Sequence, residues 1–136
     1  MSYAGDRSVE SAWSDLKGDA DAVMVDVRTK EEWNFVGVPD MRSTGKELIC
    51  VEWQTFPSGS PNPEFIKQVK AQVNQDSKLY FLCRSGSRSR AAAIAMTAAG
   101  FNTCFNITDG FEGNLDDSDR RGVGGWKAAG LPWCQS

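Results

Sequence analysis

The tract from Leu79 to Ala99 constrains the fold more than any other part of the chain. Four apolar residues, Leu79-Tyr80-Phe81-Leu82, run straight into Cys83. A short polar segment from Arg84 to Arg88 follows, then Ala91-Ala92-Ala93-Ile94-Ala95-Met96-Thr97-Ala98-Ala99, closed by Gly100. An apolar run of that length is a buried strand. The alanines favour helix and let it pack closely against a sheet. A strand that passes through a short loop into a helix is the first half of a βαβ unit, which implies a mostly parallel sheet.

The rest of the chain repeats this alternation. Val9, Ala12, Trp13 and Leu16 fall on one helical face over residues 8–17, with Ser8 as N-cap and Gly18 as the stop. Residues 22–27 and 48–51 read as buried strands, and 104–107 as a fourth. Thr29 caps a short helix through Trp33, with Glu32 completing a capping box. Asn62-Pro63-Glu64 reads as an N-cap, first-turn proline and acidic residue ahead of a helix whose face is Phe65, Ile66, Val69 and Val73. Residues 110–125, with five glycines and four acidic residues, read as a mobile surface loop. Trp126 to Ala129 forms a last helical turn. No repeat or linker divides the chain. The expectation is one α/β domain over residues 1–136, three layers deep, with a mostly parallel central sheet and helices on both faces.

At 136 residues the chain is long enough to bury roughly two thirds of its unfolded surface. A net charge of -3 argues against nucleic acid as partner. No apolar run is long enough for a membrane span, and Met1 to Asp6 has neither the basic start nor the apolar core of a secretory leader. A cytoplasmic location is expected. The four cysteines, Cys50, Cys83, Cys104 and Cys134, lie too far apart for a CxxC pair or a compact disulfide framework. The chain has no histidine, which excludes zinc sites mixing Cys and His. It equally excludes Cys-His and Ser-His pairs, so a nucleophile here must be activated in another way. No metal or cofactor is expected.

Cys83 has such a means at hand. In open α/β sheets ligands bind outside the carboxyl ends of the strands, and Cys83 sits at such an end. The loop Cys83-Arg84-Ser85-Gly86-Ser87-Arg88-Ser89 leads into a helix start, where main-chain N–H groups and the helix dipole favour an anion. Gly86 permits the left-handed backbone that a nest of amides needs. A sulfur at its base is favoured as thiolate, with Arg84 and Arg88 adding positive charge and Ser85, Ser87 and Ser89 offering hydroxyls. Such a thiolate can attack the outer sulfur of a donor such as thiosulfate, hold it as a persulfide and pass it to an acceptor. Cys50, Cys104 and Cys134 lack this setting and read as small buried hydrophobes. Arg28 and Glu32, four apart, read as an ion pair.

Three segments in order resemble the rhodanese-like (sulfurtransferase) domain family. Val25-Asp26-Val27-Arg28-Thr29-Lys30-Glu31-Glu32-Trp33 is similar to its first signature. Tyr80 to Ser89 is similar to its active-site loop, and Gly125-Trp126-Lys127-Ala128-Ala129-Gly130-Leu131-Pro132 to its closing signature. The resemblance implies that Cys83 is the nucleophile, that Arg88 is the last residue of the loop, and that Asp26, Arg28 and Glu32 form a largely structural polar cluster. It implies a thiosulfate:cyanide type of sulfurtransferase that needs no cofactor beyond its covalent persulfide. Its partners would be a small sulfur donor and a thiol or cyanide acceptor, with a sulfur-relay protein as an alternative. Gly37-Val38-Pro39 departs from the family's usual Gly-His-Ile. The segments 41–62, with Trp53 closest to the expected pocket, and 111–124 lie outside the common signatures and are candidates for setting the donor or acceptor.

Two rival functions follow from the same residues. One is a non-catalytic or partner-dependent persulfide carrier of the same fold. The other is a Cys-dependent phosphatase, whose C-x5-R pattern this loop misses by one residue, with Ser89 standing where the arginine belongs. Cys104 is the candidate to resolve a persulfide on Cys83 as a disulfide.

Overall fold

The structure, a computed structural model, describes residues 3–55, 58–113 and 124–135. Its centre is a pair of parallel strands, β2 (Ala22–Asp26) and β5 (Lys78–Leu82), paired residue for residue from Ala22↔Lys78 to Asp26↔Leu82. Both obey the two-residue period of a pleated strand buried on both faces. Val25, Leu79, Phe81 and Cys83 enter one apolar cluster, while Ala22, Met24, Tyr80 and Leu82 enter another. β6 (Cys104–Ile107) and β1 (Gly5–Arg7) extend the sheet on one side and β4 (Ile49–Cys50) on the other. The order is β1-β6-β5-β2-β4, with every neighbouring pair parallel.

Helices cover both faces. α1 (Val9–Gly18) buries Val9, Ala12 and Leu16, and α5 (Gly125–Ala128) buries Trp126 in the same cluster. The opposite face receives Phe65 and Val69 from α3 (Phe65–Lys70) and Ala92, Ala93 and Met96 from α4 (Ser87–Ala98). The expected three-layer α/β architecture is the observed one. No helix among the described residues is long and apolar enough to cross a membrane.

Local signals placed the caps with one exception. Ser8 caps α1, and Thr29 with Glu32 makes the full capping box of α2 (Lys30–Phe35). Asn62 does not cap α3: its side-chain carbonyl accepts the Glu64 N–H at 3.0 Å while its amide reaches Glu52 O at 2.8 Å. This turn places Pro63 ahead of the helix and leaves Ile66 37% exposed rather than on the buried face. α4 starts four residues earlier than its alanines suggest, at Ser87, so Ser87, Arg88 and Ser89 form its first turn. Two further strands, β3 (Val38–Pro39) and β7 (Trp133–Cys134), pair antiparallel beside the main sheet.

Residues 110–113 are the chief correction to the sequence reading. They are no loose surface loop: Gly110, Phe111 and Gly113 are buried. The turn packs against the Cys83 loop, where the Phe111 N–H donates to Cys83 O at 2.8 Å and the Glu112 N–H to Arg84 O at 3.0 Å. The remainder of that expected loop, 114–123, lies outside the described residues.

Candidate functional site

Cys83 continues β5 by one residue on the α4 face, at the carboxyl edge of the sheet. The chain then turns in three residues, Arg84, Ser85 and Gly86, into α4. Gly86 makes that turn possible with φ 111°, and a Cβ there would stand 2.1 Å from Thr108 O. The Phe111 and Glu112 amides hold the Cys83 and Arg84 carbonyls.

The cradle around the sulfur differs in detail from the expected nest. One main-chain amide, Gly86 N–H, donates to Sγ, at 3.1 Å. The second partner is the Ser89 hydroxyl at 3.2 Å. Ser89 gives its single proton to Asn106 Oδ1 at 2.6 Å, so it faces the sulfur with lone pairs and accepts from the Cys83 thiol. It can donate to the sulfur only by turning away from Asn106. The Asn106 amide in turn donates to Asp6 Oδ1 at 3.2 Å. The first three amides of α4, those of Ser87, Arg88 and Ser89, have no main-chain acceptor among the described residues. Cys83 itself is 1% exposed.

The arginines expected to add bare positive charge are both paired. Arg88 grips Glu32 with two bonds of 2.7 and 3.0 Å. Arg84 Nε lies 3.3 Å from Glu112 Oε2. Burial alone would raise the Glu32 carboxyl, but hydrogen bonds from Arg88 and from the Thr29 N–H, with the charges of Arg88 and Arg28, outweigh it and hold the group below the usual carboxylate range. Above the loop opens a cavity of about 610 Å³. Arg84, Ser85 and Arg88 line it from the loop, Glu32 from α2, and Gln54 and Thr55 from the 41–62 segment. Cys83 does not line it; its sulfur lies within the loop whose outer residues do. Ser87 is exposed. Trp53 stands away from the cavity, edge-on to Phe65 at 4.9 Å.

The first-signature residues separate into two pairs. Arg28 binds not Glu32 but Asp26, with Nη2 to Oδ2 at 2.7 Å, and it also donates to Gly37 O at 2.7 Å. Both side chains are fully buried, and the guanidinium stacks on Phe111 at 4.3 Å. Glu32 belongs to the cavity through Arg88. The other cysteines are also redistributed. Cys104 is buried, but Cys50 is exposed on edge strand β4 and Cys134 is half-buried. Cys104 pairs with Leu79 at the far end of β5, about 13 Å from Cys83 along the strand at about 3.3 Å per residue, which is too far to form a disulfide with it. Sequence reasoning missed Asn106 and Glu112. Asn106 left a signal, an amide inside the apolar run 104–107; Glu112 left none.

A parallel sheet whose central strand delivers a cysteine into a helix-starting loop defines an α/β domain with a cysteine at its ligand-binding edge. The comparisons agree. Residues 4–136 match the family described as STR4 middle domain. An uncharacterized protein of Rickettsia conorii is 40% identical over 90% of each chain. The crystal structure of Rv0390 from M. tuberculosis is 47% identical, covers 99% of this chain and 100% of its own, and superposes with a TM-score of 0.93. The Arabidopsis thaliana rhodanese-like domain-containing protein 4, chloroplastic, is 26% identical over 96% of this chain, which spans 26% of that longer protein. The chain belongs to the rhodanese-like domain family.

Proposed function

We propose that this protein is a sulfurtransferase that carries sulfane sulfur as a persulfide on Cys83. The observation that carries the reading is the placement of Cys83: the end of the central strand, an amide at 3.1 Å from its sulfur, and a cavity above its loop. In the first half-reaction the Cys83 thiolate attacks the outer sulfur of a donor. With thiosulfate the S–S bond breaks, its electron pair leaves on sulfite, and Cys83 becomes a persulfide. Ser89 can turn from Asn106 to donate to the new anionic sulfur, beside the Gly86 N–H that already meets Sγ. In the second half-reaction a thiophilic acceptor, cyanide or a thiolate, takes the outer sulfur and the electron pair returns to Cys83. No metal or organic cofactor enters either step. Four unpaired cysteines suit a reducing compartment, and we place the reaction in the cytoplasm.

A partner-dependent persulfide carrier is the second reading. The 1% exposure of Cys83 favours it, because a docked partner could open the loop as it presents its sulfur. Thiocyanate formation from thiosulfate and cyanide tests the enzyme reading. The wild type should turn over and Cys83→Ser should lose at least about 10³-fold. Turnover that survives this substitution would overturn the proposal.

A further inference from the structure

The charge around the cavity points to the chemistry of the donor. Three carboxylates, Glu31, Glu32 and Glu112, line it against two guanidiniums, Arg84 and Arg88. Both guanidiniums face a carboxylate partner already, at 3.3 and 2.7 Å. A site built to take a dianion at its rim keeps positive charge in surplus; among the described residues this rim carries a deficit. Thiosulfate would bring two negative charges past it, and sulfite would have to leave with two. The cavity, at about 610 Å³, is also far larger than one inorganic anion needs.

On the sulfur-transfer reading above, we infer that the donor is an organic persulfide, R–S–SH, with no net negative charge on its carrier, and that Glu112 sets this preference by neutralising Arg84. The Cys83 thiolate attacks the outer sulfur of R–S–SH. The S–S bond breaks, R–S⁻ leaves with its electron pair, and the proton stays on the transferred sulfur. A neutral donor enters and the charge of the Cys83 thiolate leaves on R–S⁻, so no dianion crosses the rim.

Glu112 is the selective element because the other pair is built in. Glu32 is fixed by Arg88, by the Thr29 N–H at 3.1 Å and by the Thr29 hydroxyl. Among the described residues the Glu112 carboxylate makes one contact, a longer one, to a half-exposed Arg84. Its main chain braces the loop independently, through the N–H bond to Arg84 O. The carboxylate can therefore be neutralised without unfastening the loop.

The test is the rate of Cys83 persulfidation, followed by intact mass, with thiosulfate and with cysteine persulfide as separate donors. The wild type should load faster from cysteine persulfide. Glu112→Gln should raise the thiosulfate-to-persulfide rate ratio about tenfold, the scale expected for removing one charge near a dianion. Adding Arg84→Met to that variant should reverse the gain. Faster wild-type loading from thiosulfate, or a ratio unmoved by Glu112→Gln, would overturn the inference while leaving sulfur transfer intact. If neither donor loads Cys83 in either protein, sulfur transfer itself fails, and the inference with it.

Discussion

Glu32 and Arg28 show how far a spacing rule reaches. Four residues apart, they satisfy the helical ion-pair rule, yet Arg28 precedes the N-cap Thr29 and so does not lie on α2. Its N–H and guanidinium both turn back onto Asp26, and Glu32 is left to meet Arg88, 56 residues away. The rule holds only when both residues are inside one helix, and only the fold shows that one is not. The pair makes a pH prediction. Because the folded carboxyl of Glu32 sits below its unfolded value, its contribution is full above the ordinary carboxylate pKa of about 4.3 and is lost as pH falls through the depressed folded value. Removing the guanidinium removes the largest cause of the depression. Urea unfolding at pH 7 and pH 3 should show a smaller acid loss of stability in Arg88→Met than in the wild type; equal losses would contradict the assignment.

At the level of elements, the strands and helices with strong apolar periods were legible in the sequence, and their ends were not. α4 reaches back to Ser87 because the left-handed Gly86 turns the chain into helix at once, a geometry that alanine content does not encode. β1, Gly5-Asp6-Arg7, has no apolar alternation and forms only because β6 offers it an edge. The 110–113 turn looked like solvent-loving loop because its glycines read as flexibility. They instead allow close approach: a Cβ on Gly110 would lie 2.5 Å from Arg84 O. Loop and turn thus form one unit, with Gly86 at its tightest point. Gly86→Ala forces both a strained φ and a backbone clash, and should cost about 2 kcal/mol or more in urea unfolding. A loss under about 0.5 kcal/mol would show that the loop is not held as described.

Over the whole molecule, the order of strands and helices was legible because each buried strand alternates between two apolar clusters and each helix has one face to cover. The same parity that puts Leu79 and Phe81 on the α4 face puts Cys83 there, at the mouth of the sheet. What sequence could not supply was the pairing of charges across the site, since Glu112 and Glu32 reach the loop arginines from separate parts of the fold. Sulfur transfer by this protein depends on this one cysteine carrying the sulfur. Incubation with cysteine persulfide, removal of excess donor and peptide mass mapping test it most directly. The peptide containing Cys83 should gain one sulfur atom that cyanide removes, with Cys50, Cys104 and Cys134 unchanged. A gain on another cysteine, or none on Cys83, would contradict it.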